Sequence, residues 1–294
     1  MSLSIASLNS GSNGNCYYVG NEEEAVLVDA GISCRETERR MKRLELDMRK
    51  VKAIFITHEH TDHINGIRVL VKKHKLPVYI TPSTKNNGRI FLPPHLTFAF
   101  KAYDTVKIGG LEITAIPKLH DAIDPHSFLV SDHHTTVGVF TDIGVACEHV
   151  VHSFQQCHAA FLEANYDTEM LENGSYPMGL KNRIRGGKGH LSNAQALRLF
   201  LEHRPAHMSH LLLAHLSRDN NHPEIVRNLF KAAAGDTSII VASRYEETPV
   251  FSIQGSAEII RKPIERPLIK AHPVVISKSR KPVRVKNQFQ LSLF

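Results

Sequence analysis

Residues 53–63 read AIFITHEHTDH, and this stretch decides the fold. Its first part, AIFIT, is apolar and β-branched, which is typical of a buried strand. The strand pattern stops at the cluster His58, His60, Asp62 and His63, and INGIRVLVKKH then shows the spacing of an amphipathic helix. A core strand that ends in polar residues and leads into a helix indicates an α/β layered protein.

The same short stretch has the spacing to bind metal. In an extended chain, residues two apart point the same way, so His58 and His60 can hold one ion together. Asp62 and His63 fall at the start of the helix, where the dipole favours a carboxylate that can be aimed at a second ion. Imidazole and carboxylate ligands without a thiolate suit catalytic zinc, manganese or iron. We therefore predict two adjacent divalent ions, Zn²⁺ or Mn²⁺.

Three other polar residues each end an apolar strand. His120 closes IPKLH, Asp142 closes GVFTD and His215 closes LLLAH. Because α/β sheets place site residues at strand ends, these three are candidates for the remaining ligands. His222, in HLSRDNNHP, competes with His215 for the last position, but His215 is favoured because it directly ends its strand.

The charge pattern divides the chain. The net charge is +7, and the segment from Arg261 onward has nine basic residues and one acid, so the preceding residues carry about −1 (+7 minus +8). Periodicity is lost there and prolines accumulate. We predict a catalytic domain over residues 1–260, a basic tail or linker over residues 261–289 and a terminal peptide over residues 290–294. The tail suggests contact with a polyanion, nucleic acid first, although it could simply be solvated.

The N-terminus and the hydropathy bear on location. The first twenty residues lack the basic start and unbroken apolar run of a signal peptide. No stretch approaches the length needed to span a bilayer. We expect a cytoplasmic protein that has no membrane partner.

With these motifs in place, the body of the chain resembles the metallo-β-lactamase superfamily. The resemblance implies an αββα sandwich in which His58, His60 and His120 bind one ion, Asp62, His63 and His215 bind the other, and Asp142 bridges them. Lactam-hydrolysing relatives commonly have a thiolate at the position of Asp142, and a carboxylate there resembles the glyoxalase and nuclease branches. Two such ions suit hydrolysis of a phosphodiester, with Asp62 and Asp142 fixing the metals.

Finer motifs narrow the resemblance. LNSGSNGNCYYV, LEANYD (162–167), GHLSN (189–193) and AHLSRDNN (214–221) together resemble the bacterial YycJ/WalJ group, from about Ser7 to Pro223. The resemblance to that group implies a 5′ to 3′ exonuclease that acts on DNA and has a role in DNA repair.

LEANYD and GHLSN also resemble motifs of RNase J and of the cleavage and polyadenylation nucleases. That comparison implies that Glu163 orients a neighbouring ligand and that His190 is the general acid. Those nucleases carry a large cap domain between the two motifs, whereas 26 residues separate Glu163 from His190 here. We therefore expect no inserted β-CASP-type cap domain.

Two further segments suggest binding surfaces. YPMGLKNRIRGGKGH is interpreted as a basic loop at the mouth of the site, whose alternative is a solvated loop. Its candidate DNA-binding residues are Lys181, Arg183, Arg185 and Lys188.

The chain ends in QLSLF, which resembles the peptide by which bacterial polymerases and repair proteins bind the DNA sliding clamp. In that peptide Leu291, Leu293 and Phe294 would fill an apolar groove and Gln290 would hydrogen-bond beside it. An edge strand is the alternative.

Two other functions remain open at this point. A small-molecule hydrolase of thioesters or lactones could use the same metals, but it leaves the basic tail and the terminal peptide unexplained. A non-catalytic adaptor bound to the clamp is a second possibility, which the complete ligand set disfavours.

Overall fold

The computed structural model describes residues 2–255, and these form two mixed β-sheets packed face to face between layers of helices. The first sheet comprises, in spatial order, β14 (Phe251–Gln254), β1 (Ser2–Asn9), β2 (Cys16–Gly20), β3 (Ala25–Val28), β4 (Val51–Phe55), β5 (Val78–Tyr79) and β6 (Thr97–Phe98). The second comprises β13 (Ser238–Val241), β12 (His210–Ala214), β11 (Ala159–Glu163), β10 (Thr136–Phe140), β9 (His126–Ser131), β8 (Leu111–Pro117) and β7 (Thr105–Ile108).

Helices cover the outer faces of both sheets. Within residues 2–255 they are α1 (Cys34–Arg43), α2 (Thr61–Ile64), α3 (Ile67–His74), α4 (Pro82–Asn87), α5 (Glu148–Phe154), α6 (Thr168–Asn173), α7 (Met178–Arg185), α8 (Asn193–His203) and α9 (Pro223–Lys231), with 3₁₀ turns at Met48–Lys50 and Pro94–Leu96. No helix in this part of the chain is long and apolar enough to cross a membrane.

Each sheet is half antiparallel and half parallel. The pairs β14/β1, β1/β2 and β2/β3 are antiparallel, and the pairs from β3 to β6 are parallel. The second sheet repeats this order, with antiparallel pairs from β7 to β10 and parallel pairs from β10 to β13. The carboxyl ends of the parallel strands therefore gather at one edge of the sandwich, where α/β sheets place their sites.

Three apolar layers hold the sandwich together. The inner faces of the two sheets share one core, in which the rings of Tyr17 and Phe161 lie 4.9 Å apart and those of Phe55 and Phe128 lie 5.5 Å apart. A second layer joins the first sheet to α1 and α3, and a third joins the second sheet to α5, α8 and α9. The predicted αββα architecture is confirmed.

The helix predicted after the histidine cluster is interrupted. Residues 64–74 form the end of α2 and all of α3, which are separated at Gly66. A Cβ on Gly66 would lie 1.8 Å from the carbonyl oxygen of Ile32, and the Gly66 amide donates to the carbonyl of Ala30. The close approach of this neighbouring loop breaks the helix and fixes the turn that carries Asp62 and His63.

No separate cap domain lies between Glu163 and His190 within the described residues. The intervening segment forms the two short helices α6 and α7. Because YPMGLKNRIRGGKGH contributes the helix α7, its interpretation as a loop was wrong. Pro177 precedes the first turn of α7 as its N-cap, and Gly186 ends the helix.

Candidate metal centre and catalytic site

The candidate ligands come from both sheets and meet at the shared edge. His58, His60, Asp62 and His63 follow β4 of the first sheet. The other three, His120, Asp142 and His215, follow β8, β10 and β12 of the second sheet. All seven lie in one cluster, although up to 157 positions (215 minus 58) separate them in the chain.

Three imidazole nitrogens form the first group. His58 Nε2 lies 3.1 Å from His60 Nδ1, which in turn lies 3.3 Å from His120 Nε2. Ligands placed about 2.05 Å from a tetrahedral zinc ion are separated by about 3.3 Å, so this spacing fits one ion. His58 is fully buried and His120 is 4% exposed.

Asp62, His63 and His215 form the second group around the bridging candidate Asp142. Asp62 Oδ2 lies 3.5 Å from His63 Nε2 and 3.6 Å from His215 Nε2. Asp142 Oδ2 lies 3.2 Å from His63 Nε2 and 3.0 Å from His215 Nδ1. The other oxygen, Asp142 Oδ1, lies 3.8 Å from His120 Nε2 of the first group. One carboxylate thus faces both groups.

Backbone conformation helps to aim two of these side chains. Asp142 and His215 have φ values of 53° and 54°, in the left-handed region that few residues other than glycine adopt. Lys118, which is buried, donates from Nζ to the carbonyl of Thr141 at 2.6 Å and so supports the turn before Asp142. Local strain at such positions is common in functional sites.

Asp29 supports His63, although it was not among the residues predicted from the sequence. Both side chains are completely buried, and His63 Nδ1 lies 2.7 Å from Asp29 Oδ2. Asp29 also accepts from the backbone N–H of Thr57 at 2.9 Å and from its hydroxyl. A proton on Nδ1 that is shared with this carboxylate leaves His63 Nε2 free for a metal. The available signal was the position of Asp29 directly after the apolar strand AVLV.

The turn SGSNGN supports the second group from the opposite side. Asn15 donates from Nδ2 to Asp62 Oδ2 at 3.1 Å, and its backbone N–H donates to the Asp62 carbonyl at 2.7 Å. Ser10 accepts on Oγ from the His215 backbone N–H at 2.7 Å. A Cβ on Gly31 would lie 1.7 Å from the Asp62 carbonyl oxygen, so only glycine fits there.

His120 and His58 are oriented in the same manner. His120 Nδ1 lies 3.0 Å from the carbonyl of Gly189, so that nitrogen donates and Nε2 is left with its lone pair. His58 Nδ1 lies 2.8 Å from the hydroxyl of Thr57. Burial lowers the pKa of both rings, and that of His120 falls to about 3, which favours the neutral form that binds metal.

Glu163 and His190 form a pair beside the metal ligands. His190 Nδ1 lies 2.7 Å from Glu163 Oε1, while Glu163 Oε2 accepts from the backbone N–H groups of Ile143 and Leu191 at 2.7 and 3.2 Å. Burial disfavours the charged imidazole, but the carboxylates of Glu163, Asp142 and Asp121 together outweigh burial and raise the pKa of His190 to about 9. The His190 side chain is 21% exposed, so the pair can contact a substrate.

His222 is not part of the cluster. It is the N-cap of α9, where its Nδ1 accepts from the backbone N–H of Glu224 at 3.3 Å. His215 lies 3.0 Å from Asp142, as described above. The structure therefore favours His215 of the two candidates.

The four basic candidates on and after α7 do not form one surface. Lys181 is 7% exposed and donates from Nζ to the carbonyl of Glu172, so its assignment to a DNA-facing surface was wrong. Arg183 is exposed and pairs with Asp121, next to the ligand His120, at 2.5 Å. Arg185 pairs with Glu172, and Lys188 is exposed.

The residues present fit divalent metal. Three carboxylates, Asp29, Asp62 and Asp142, surround buried His63, and this excess of negative charge calls for a cation. Asp142 Oδ2 and His215 Nδ1 are buried and make no hydrogen bond with good geometry, although they lie 3.0 Å apart. Two ligands of a common cation are arranged in this way.

Comparison with known proteins agrees with this geometry. The sequence model of a protein family described as "Beta-lactamase superfamily domain" matches residues 24–215 of the chain. The chain is 36% identical over 230 residues to "Exodeoxyribonuclease YycJ" of Bacillus anthracis, covering 77% of this chain and 87% of that protein. The chain belongs to the YycJ/WalJ-like group of the metallo-β-lactamase superfamily. It is a metal-dependent hydrolase.

One further relative supports the assignment, and one solved structure supports the fold. "Exodeoxyribonuclease WalJ" of Streptococcus pneumoniae strain D39 is 29% identical over 261 residues, covering 84% of this chain and 96% of that protein. The crystal structure of the metallo-β-lactamase fold protein YhfI from Bacillus subtilis superimposes with a TM-score of 0.66 at 17% identity. The superposition covers 86% of this chain and 100% of YhfI, and the likeness shows the fold alone.

The predicted tail and terminal peptide, residues 261–289 and 290–294, lie outside the described residues. Gln290, Leu291, Leu293 and Phe294 belong to that part of the chain. The predicted boundary of the catalytic domain at residue 260 lies there too, and the last described strand, β14, ends at Gln254.

Proposed function

We propose that this chain is a metal-dependent phosphodiesterase that degrades DNA from the 5′ end. The observation that carries the proposal is the Asp142 carboxylate, which faces both ligand groups while the His190–Glu163 pair stands beside it. Two relatives, which the chain matches over 87% and 96% of their length, are named as exodeoxyribonucleases, and this supports DNA as the substrate.

Each ligand group would hold one divalent ion, Zn²⁺ or Mn²⁺. His58, His60 and His120 would bind the first, Asp62, His63 and His215 the second, and Asp142 would contact both. When bound, such a pair supplies Lewis acidity toward a phosphate and lowers the pKa of water toward about 7. Asp29 and Asn15 would keep His63 and Asp62 in the orientation that binding requires.

His190 is placed to act as the general acid. Its Nδ1 faces Glu163, so the proton available to a substrate is the one on Nε2. Glu163 is held in turn by the backbone amides of Ile143 and Leu191, which fixes the direction of the imidazole. The donated proton would go to the oxygen that leaves phosphorus. Arg183, which lines the same small cavity as His190, would contact a phosphate there.

We extend the proposal to the cell. A 5′ to 3′ exonuclease of this kind would act in DNA repair in the cytoplasm, with Lys188 and Arg185 contributing weaker contacts to DNA. The basic residues 261–289 would tether QLSLF, which would bind the sliding clamp and raise the local concentration of enzyme on DNA. Deleting residues 290–294 should abolish clamp binding while activity on free DNA is retained, and clamp binding that survived the deletion would contradict this part.

The decisive experiment is degradation of linear duplex DNA labelled at either end by the full chain, with and without added Mn²⁺ or Zn²⁺. We expect metal-dependent loss of nucleotides from the 5′ end, and an Asp62→Ala variant should be inactive. If metal-loaded protein cleaves no duplex, single-stranded DNA or RNA but hydrolyses a thioester or a lactone, the nuclease proposal is wrong. Full function of Asp62→Ala in cells would favour a non-catalytic adaptor.

A further inference from the structure

A second cavity opens directly beside the metal ligands. It has a volume of about 460 Å³ and lies between the segment after β12, the start of α9 and the segment after β13. Its wall includes Ser10, whose Oγ accepts from the backbone N–H of the ligand His215. Leu216 and Ser217, the next two residues of the chain, also line it. The cavity therefore adjoins the candidate metal site through Ser10 and the residues after His215, although the proposed chemistry does not use it.

Three arginines and one acid, Glu246, line the cavity. Arg244 is held by Asn13 of the SGSNGN turn, which donates to the Arg244 carbonyl at 2.8 Å and accepts on Oδ1 from Arg244 Nη2 at 3.4 Å. Arg227 pairs with no carboxylate in the part of the chain that the structure describes. Arg218, the third, is mostly exposed and pairs with Asp219. Within residues 2–255 neither Arg227 nor Arg244 is neutralised by an ion pair, so their positive charge can act on a phosphate in the cavity.

Helix α9 adds to this positive potential. Its nine residues begin at Pro223, and His222 and Pro223 both line the cavity. The amino end of a helix carries a partial positive charge that favours anions. It therefore acts on an anion in the cavity in the same direction as the arginines.

An aromatic ring stands at the rim. Tyr245 is 73% exposed, yet its backbone is fixed, because buried Arg40 donates to its carbonyl at 2.9 Å and its own N–H donates to Ser243 Oγ at 3.0 Å. Exposed aromatic rings on fixed backbone are the usual stacking platforms for unpaired bases. A ring beside arginines fits a nucleotide better than a simple anion.

Ser217 lines both this cavity and the one beside His190. The smaller cavity, of about 190 Å³, is lined by Ser217 together with Arg183 and His190. The backbone N–H of Ser217 donates to the Asn165 carbonyl at 2.7 Å, which fixes it between the two cavities. The two cavities therefore lie side by side, on either side of Ser217.

We propose that the cavity formed by Arg227, Arg244 and Tyr245 binds the single strand that adjoins the scissile phosphate. Arg227 and Arg244 contact its phosphates, and Tyr245 stacks on a base. The AHLSRDNN motif then has a structural role, since its Ser217 and Arg218 form part of this wall. The inference rests on the proposed action on DNA and adds the place where the strand is held.

The test measures binding of a fluorescein-labelled, phosphorothioate-linked oligothymidylate to the metal-loaded full chain by anisotropy at several salt concentrations. Arg227→Ala and Arg244→Ala should each raise Kd at least about threefold and reduce the steepness of the log Kd against log salt plot by about 0.7. Tyr245→Ala should raise Kd about fivefold or more without changing that slope, and Tyr245→Phe should retain binding. Arg49→Ala, an exposed arginine at the amino end of β4, removes the same charge far from the site and is the control.

The outcomes separate the inference from the proposed function. If both arginine variants and Tyr245→Ala bind like Arg49→Ala, or if the wild-type chain does not bind the oligonucleotide, the inference is wrong. Cleavage of ordinary DNA by the wild type is measured in parallel. A wild type that binds through these residues but cleaves no DNA would refute the nuclease proposal and leave the single-strand site in place. Thermal melts of each variant identify any that fail to fold.

Discussion

Replacing Asp29 by asparagine tests how the second ligand group is built. The variant is nearly isosteric, and its oxygen can still accept from Thr57. Its amide nitrogen, however, would face His63 Nδ1, which lies 2.7 Å from the native carboxylate. The proton of His63 would then move to Nε2, the nitrogen that faces Asp142, and the lone pair needed for a metal would be lost.

Loss of such a supporting carboxylate typically lowers metal affinity by about 10- to 100-fold, or roughly 1.4 to 2.8 kcal/mol. We expect this loss for one ion only, because the group His58, His60 and His120 does not contact Asp29. Titration of metal-free protein against a chromophoric chelator measures both affinities. The control is Asp132→Asn, since Asp132 is also buried and accepts from backbone amides at 2.7 to 2.8 Å, but in the β9–β10 turn. Equal metal affinities in Asp29→Asn and Asp132→Asn would refute the reasoning.

Three further substitutions probe the catalytic pair, the ligand turn and the core. Glu163→Gln should lower kcat by about 100-fold or more, while the metal content measured by atomic emission stays at the wild-type level. A parallel loss of metal would instead make Glu163 part of the ligand set. Gly31→Ala places a methyl group against the Asp62 carbonyl and should reduce bound metal, whereas Gly179→Ala, where a Cβ meets nothing within 4 Å, should not. Phe161→Ala should lower the free energy of unfolding by about 3 to 5 kcal/mol in urea melts, because the ring is completely buried against Tyr17, and a loss under 1 kcal/mol would show that the two sheets repack.

The candidate ligands could be named from the sequence because their signals are local. His58 to His63 follow one apolar strand, and Asp142 and His215 each end another, so strand-end placement made them candidates, while their division between two ions came from the family resemblance. The same reasoning favoured His215 over His222, and the structure agrees. The alternation of strands and helices predicted an α/β layered protein, and the αββα sandwich was implied by the resemblance to the metallo-β-lactamase superfamily.

The supporting residues were missed because their partners are distant in the chain. Asn15 lies 47 positions before Asp62, and Asp29 lies 34 positions before His63. Nothing in either local pattern names the partner. Lys181 was misplaced for a related reason. The glycine-rich, basic pattern around it favoured a loop, but residues 178–185 form the helix α7, and in that helix the Lys181 side chain is buried.

The division of the candidate ligands between the two sheets has a consequence for folding. His58 to His63 belong to one half of the sandwich, and His120, Asp142 and His215 belong to the other, so a bound cation would act as a cross-link between halves that otherwise meet through apolar side chains. A ligand that binds only the assembled state, at 100 times its Kd, adds about 2.7 kcal/mol to stability. Metal supply would then govern the lifetime of the protein in the cell as well as its turnover, because a protease reaches the separated halves more often when the cation is scarce.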